Sequence, residues 1–247
     1  MPRDPHSPPS KKLNWCALIP AFAEESYVGE VVHAARAHGA SVLVVDDGSP
    51  DATAQRAEEA GAQVIRHACN RGKGAALETG CRVAREQRFE VVVTLDADGQ
   101  HDPAELPKFI DVYQRTGIPV LLGNRMAEAA DMPWLRRFTN RFMSWLLGRI
   151  MGCYVPDTQC GYRLYRTDVL QWLNTGEKGF AAESEVLLRL AARGVRMDSV
   201  RIRTLYGKRK SKIRPGRDTL RFVRMLLHYR REMSNRKRTR VPDKGSE

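Results

Sequence analysis

The chain has 247 residues, 42% of them apolar, enough for one sizeable α/β domain or two small ones with a buried core. It contains no run of about 18 apolar residues, which argues against a spanning helix, and its polar start MPRDPHSPPSKK lacks the apolar middle of a secretory signal, so a cytoplasmic location is expected. The net charge of +12 is concentrated at one end, because residues 201–240 hold 16 Lys and Arg against 2 Asp and Glu. Such a segment suits the phosphates of nucleic acid, of anionic lipid or of a substrate.

In chain order, residues 1–12 read as a disordered tail. Residues 15–19 are a short apolar run ending at Pro20, a buried strand. Residues 26–38 read as a helix with Val28, Val31, Val32 and Ala35 on one side and Gly39 as its stop. A second strand covers 41–45 and ends in Asp46-Asp47-Gly48-Ser49. Then come a helix at 53–60, a strand at 62–66 and a helix at 74–87. Residues 89–95 form the strongest strand signal and run into Asp96-Ala97-Asp98. A helix over 103–115 and a strand over 119–122 follow. Strands alternating with helices predict a largely parallel, helix-covered sheet.

Ligands of such sheets bind beyond the carboxyl ends of the strands, where both acidic clusters fall. Residues two apart on an extended chain point the same way, so Asp96 and Asp98 can share one ligand. Paired carboxylates repel, and a divalent cation removes that cost; oxygen donors suit Mg²⁺ or Mn²⁺, with Gln100 adding a neutral oxygen. A solvated turn is the plainer alternative. The Asp46-Asp47 turn suits either a helix cap or an acceptor for a base or ribose. Asn70-Arg71-Gly72-Lys73-Gly74 lacks the P-loop spacing, yet its amides and Lys73 can face an anion. Five cysteines, odd in number and without a CxxC pair, read as reduced thiols rather than zinc ligands.

Seven segments occur together: Leu18-Ile-Pro20-Ala-Phe-Ala-Glu24, Val44-Val-Asp-Asp47-Gly-Ser-Pro-Asp51, Asn70-Arg-Gly-Lys-Gly74, Leu95-Asp-Ala-Asp-Gly-Gln100, Gly123-Asn-Arg125, Asp157-Thr-Gln-Cys-Gly-Tyr-Arg163 and Ser211-Lys212. In this order they resemble glycosyltransferase family 2, in the branch of dolichyl-phosphate mannose and glucose synthases and their bacterial polyprenyl-phosphate relatives. The resemblance covers about residues 15–213. It implies a GT-A fold, Rossmann-like, with a mostly parallel sheet and helices on both faces. The implied domain is 13–213, followed by a basic amphipathic helix and tail over 214–247.

The resemblance also implies residue roles. Pro20, Phe22, Glu24, Val45 and Asp47 match positions that hold the nucleoside, and Asp96, Ala97, Asp98 and Gln100 match the metal and diphosphate loop. Arg125 and Lys212 match cationic contacts to phosphates. Arg136 and Asn140, one helical turn apart, resemble a pair near the acceptor phosphate, and Gln159 and Arg163 sit in the loop beside it. Three family positions depart: Phe22 replaces a Tyr, Ala23 an Asn, and Thr204 a cation before Tyr206-Gly207, for which Arg203 or Lys208-Arg209-Lys210 can substitute.

The implied reaction is inverting transfer of a hexose from a UDP- or GDP-linked donor to a polyprenyl phosphate. A glycan or glycolipid hydroxyl is the alternative acceptor and would need a base, for which Asp157 and Glu185 are candidates. Residues 133–151 carry Trp134, Phe138, Phe142 and Trp145 at helical spacing, with Leu135 and Leu146 beside them and Arg136, Arg137 and Arg141 interleaved. That pattern suits either a bilayer interface or ordinary packing. Leu220, Val223, Leu226 and Leu227 repeat it among arginines. Peripheral attachment to the cytoplasmic face of a membrane is expected, assisted by a membrane-spanning partner. No nucleic-acid partner is expected, since the basic segment carries no recognisable binding motif.

Overall fold

A computed structural model describes residues 13–126, 134–173 and 180–203, together with Leu226 and Tyr229. Seven strands form one sheet: β1 (Trp15–Ala21), β2 (Ser41–Asp46), β3 (Gln63–Arg66), β4 (Val91–Thr94), β5 (Val120–Asn124), β6 (Arg163–Arg166) and β7 (Met197–Arg201). Their spatial order is β3-β2-β1-β4-β6-β5-β7. Only β6 runs against its neighbours among these strands, pairing antiparallel with both β4 and β5. The predicted mostly parallel sheet is therefore present, with one reversal.

That reversal positions the site. The parallel strands β1, β2, β4 and β5 deliver their carboxyl ends to one edge. β6 starts at that same edge, with Arg163 opposite both Thr94 and Leu122. The loop entering β6 is thus brought over the loops leaving β4 and β5.

The two faces of β1 carry alternate side chains, as a period of two requires. Ala17 and Ile19 pack on one face with α1 (Val28–Ala37), α2 (Thr53–Glu59) and α4 (Leu106–Thr116). Cys16 and Leu18 pack on the other with α3 (Lys73–Glu86) and α6 (Phe180–Ala192). Burial pushes the Cys81 thiol up to about 12, as expected for an inert reduced cysteine. An eighteen-residue helix, α5 (Trp134–Met151), lies outside these layers and packs on α6 through Leu147 and Leu188.

Pro20 is tolerated in this central strand because β1 pairs with β4 only as far as Leu18, opposite Thr94. Gly48 answers a tighter demand. Its φ is +73°, and an added Cβ would lie 2.6 Å from the Cys69 carbonyl carbon. Gly48→Ala is therefore expected to lower stability by about 2 kcal/mol or more, through strain and displacement of the 67–72 loop. Denaturant unfolding checks this; an unchanged midpoint would show that the loop gives way freely.

Of the predicted C-terminal helix only Leu226 and Tyr229 are described. Both are helical and buried against Leu147 and Leu188. Its remaining residues, the 1–12 tail and Lys212 lie outside the described residues.

Candidate active site

Asp96 leaves β4 with its carboxylate one-third exposed. Lys73, the first residue of α3, places Nζ 2.7 Å from Asp96 Oδ1 and 3.0 Å from Glu183 Oε1 on α6. Burial alone would raise the Asp96 carboxyl; the charge and hydrogen bond of the Lys73 ammonium overcome it and hold the group well below the usual carboxylate range. His101 is buried, and burial pushes its imidazole down toward the neutral form. In keeping with that, its Nδ1 accepts the Asp96 backbone N–H at 3.0 Å.

Asp98 follows on the same loop, and its Oδ1 accepts the Gln100 backbone N–H at 3.0 Å. Ala97, between the two acids, is buried in the sheet core.

Beside this loop lies a buried ion pair. Arg125, just after β5, donates from Nε to Asp157 Oδ2 at 2.7 Å and from Nη2 to Oδ1 at 3.0 Å. Asn140 of α5 adds a bond to Oδ1 at 2.9 Å, and the Gln159 backbone N–H another at 3.3 Å. Burial alone would raise Asp157; the hydrogen bonds and charge of Arg125 depress it. Gln159 itself bonds Ser184 at 3.0 Å.

The family model for glycosyl transferase family 2 matches residues 16–173. The chain belongs to this family. The dolichyl-phosphate hexose transferase of Haloferax volcanii is 34% identical over 192 residues, covering 75% of this chain and 80% of that one. The UDP-N-acetylglucosamine–dolichyl-phosphate N-acetylglucosaminyltransferase of Methanococcus voltae is 30% identical, covering 76% and 84%. Among solved structures, glucosyl-3-phosphoglycerate synthase from Mycobacterium tuberculosis, in complex with Mn²⁺, UDP-glucose and phosphoglyceric acid, aligns with a TM-score of 0.68. It is 20% identical and covers 95% of this chain and 82% of that one, a likeness of fold. This chain is a family 2 glycosyltransferase with the GT-A fold.

Of the residues expected at the nucleoside, Phe22 is 39% exposed just past the end of β1. Pro20 is half-buried beside it, and the Glu24 backbone N–H donates to Thr53 at 2.8 Å. Ala23 occupies φ +56°, a left-handed conformation that Asn accepts more readily. The family's Asn at this position thus has a backbone reason. Val45 is wholly buried in the core beneath α3, so its side chain cannot reach a ligand.

Asp47 is committed within the protein. It accepts the backbone N–H of Arg71 at 3.0 Å and of Gly72 at 2.6 Å, and pairs with His67 Nδ1 at 2.7 Å. Two of the amides read from sequence as an anion cradle, those of Arg71 and Gly72, are thereby filled by an internal carboxylate. Arg163 likewise has its guanidinium spent on the carbonyls of Cys160, Thr158 and Glu183, at 2.7, 2.9 and 3.2 Å. It orders the 157–163 loop. For Arg136 only the backbone position on α5 is described.

Sequence reasoning missed Glu183, which lies far along the chain from every motif. His101 was also missed, although its place five residues after Asp96 offered a local hint.

The pair Asp96 and Asp98 supplies hard oxygen donors suited to Mg²⁺ or Mn²⁺. A cationic ammonium already sits against Asp96, and Gly161 keeps the space beside it open. A Cβ there would stand 3.0 Å from Lys73 Nζ and 3.3 Å from Asp96 Oδ2. The chemistry of these oxygen donors suits a divalent cation, while among the described residues no group of three or more His, Cys, Asp and Glu side chains is preformed to hold one.

Proposed function

We propose that this transferase moves a hexose from a UDP- or GDP-linked donor to a polyprenyl phosphate, with inversion at the anomeric carbon and with Mg²⁺ or Mn²⁺. The observation that carries the choice of acceptor is the fate of the two candidate bases. Asp157 is buried and bound bidentately by Arg125, with its pKa depressed, which makes it a poor proton acceptor. Glu185 is buried against Arg189 at 2.8 Å and Tyr229 at 3.3 Å, in the packing between helices. A hydroxyl acceptor needs a base; a phosphate is already anionic at neutral pH and does not. The polyprenol-phosphate relatives agree with that reading.

Asp96, Asp98 and Gln100 would hold the metal, which when bound neutralises charge growing on the departing diphosphate. Lys73 and Lys212 would meet phosphate oxygens. Phe22, Pro20 and Glu24 would border the nucleoside. Asn140 and Gln159 would stand at the acceptor side, with Arg125 held beside them by Asp157. Attack by the acceptor oxygen opposite the leaving group inverts the anomeric centre.

α5 connects this acceptor side to a surface. Asn140 is buried at Asp157, while Phe138, Phe142 and Trp145 of the same helix are half exposed or more. Arg149 stands 5.7 Å from the Trp145 ring centre. Leu146 packs inward, toward the cluster containing Leu226 and Tyr229. No described helix is long and apolar enough to cross a membrane. Aromatic and basic side chains together suit peripheral attachment at a lipid interface, next to a lipid-phosphate acceptor.

The test offers each donor with polyprenyl phosphate in anionic vesicles and, separately, with glycan and glycolipid hydroxyl acceptors. Transfer to the lipid phosphate with an inverted anomer is expected. A double replacement Phe142→Ser, Trp145→Ser should raise KM for the vesicle acceptor several-fold while sparing a short, soluble prenyl phosphate. Transfer to hydroxyls alone would overturn the acceptor assignment, and equal KM values would remove α5 from membrane binding.

A further inference from the structure

Two carboxylates facing one space repel, and this chain has placed an ammonium between them. Asp96 comes from the end of β4 and Glu183 from the first turn of α6, and Lys73 Nζ lies within 3.0 Å of an oxygen on each. The lysine side chain as a whole remains 41% exposed. His101 is not the counter-ion, because its Nδ1 accepts the Asp96 backbone N–H at 3.0 Å and so presents no proton to the carboxylate. Gly161 provides the room in which the lysine tip sits.

We propose that Lys73 is a resident counter-ion. In the empty enzyme it keeps the cation's place between Asp96 and Glu183, and it transfers to the donor diphosphate when a divalent ion takes Asp96. Glu183 is the positioning residue that holds Lys73 between these two places. This rests on the metal and diphosphate reading above.

The charge balance gives the reason. A divalent ion arriving at Asp96 meets the like charge of the Lys73 ammonium that already sits against that carboxylate, and the repulsion opposes its binding. A divalent ion alone must therefore displace the lysine with nothing to receive it. A divalent ion arriving with a diphosphate brings the lysine a new anionic partner. Metal and donor then bind with positive coupling, and the lysine carries it.

The experiment titrates Mn²⁺ alone, UDP or GDP alone, and Mn²⁺ in the presence of each nucleotide. It uses the full chain, the Lys73→Met variant and the Glu183→Gln variant, with Mn²⁺ followed by electron paramagnetic resonance. For wild type, weak Mn²⁺ binding that tightens with nucleotide is expected. In Lys73→Met, Mn²⁺ alone should bind roughly tenfold tighter, while the nucleotide binds more weakly and the coupling shrinks. Glu183→Gln should shift the other way: metal-free nucleotide binds several-fold tighter, because Lys73 has lost one of its two anchors, and Mn²⁺ alone binds no better.

Opposite signs for metal and nucleotide distinguish this role from a plain structural ion pair, whose loss would weaken both and lower the melting temperature. Unchanged or weakened Mn²⁺ affinity in Lys73→Met overturns the proposal. Wild-type protein that binds neither Mn²⁺ nor either nucleotide would instead overturn the functional reading beneath it.

Discussion

Replacing Asp98 by Ala is expected to cut sugar transfer by roughly 100- to 1000-fold, the scale seen when a group that stabilises leaving-group charge is removed. The fold should be nearly untouched. Asp98 is only half-buried on a loop, and its carboxylate accepts the Gln100 backbone N–H two residues on at 3.0 Å. Losing one such bond costs about 1 kcal/mol. Asp96 would give a less clean result, because its removal also strands Lys73. Turnover of Asp98→Ala is to be measured beside its melting curve and its Mn²⁺ affinity. Wild-type turnover in this variant would take Asp98 out of the reaction.

The largest effect on stability is expected at Asp157. Its side chain is fully buried and receives both Arg125 nitrogens, Asn140 and the Gln159 backbone N–H. Asp157→Ala removes the carboxylate that pairs the buried Arg125 guanidinium, at a cost of about 3–5 kcal/mol. At ~2–4 °C per kcal/mol for a domain of this size, the melting temperature should fall by about 10 °C. Activity should fall with it, since Asn140 and Gln159 lose the acid they converge on.

The sign of the pH dependence follows from the depressed carboxyl. Its contribution is fully present above the unfolded carboxylate value of about 3.9 and is lost as pH falls through the lower folded value. Wild type should lose this stability on acidification, and Asp157→Asn should show a flatter acid limb. Urea unfolding between about pH 3 and 7 decides it. An identical acid limb in both proteins would mean that the pair contributes no linked stability.

Much of the architecture was legible because apolar runs and their stops are local. Strands β1 to β5 and helices α1 to α4 lie within a few residues of their expected places. Asp96 and Asp98 could be placed at a strand's carboxyl end for the same reason. Between Met151 and the helix expected past residue 213 the reading had motifs but no elements, and there the structure adds β6, α6 and β7. β6 is four residues long and runs against the sheet, so neither its length nor its direction carries a strong pattern. Glu183 sits in the first turn of a helix, where an acid is also good capping chemistry and signals nothing more.

Alone, the sequence determined the alternating α/β order, the acidic pair closing an apolar strand and the family to which the motifs belong. These depend on neighbours along the chain, whose spacing is written in the residues themselves. Tertiary structure alone decided which charges are already spent: Asp47 on the 71–72 amides, Asp157 on Arg125, Arg163 on its own loop, and Lys73 between Asp96 and Glu183. A charge's availability depends on what stands within about 3 Å of it, and those partners come from distant stretches that only the folded sheet brings together.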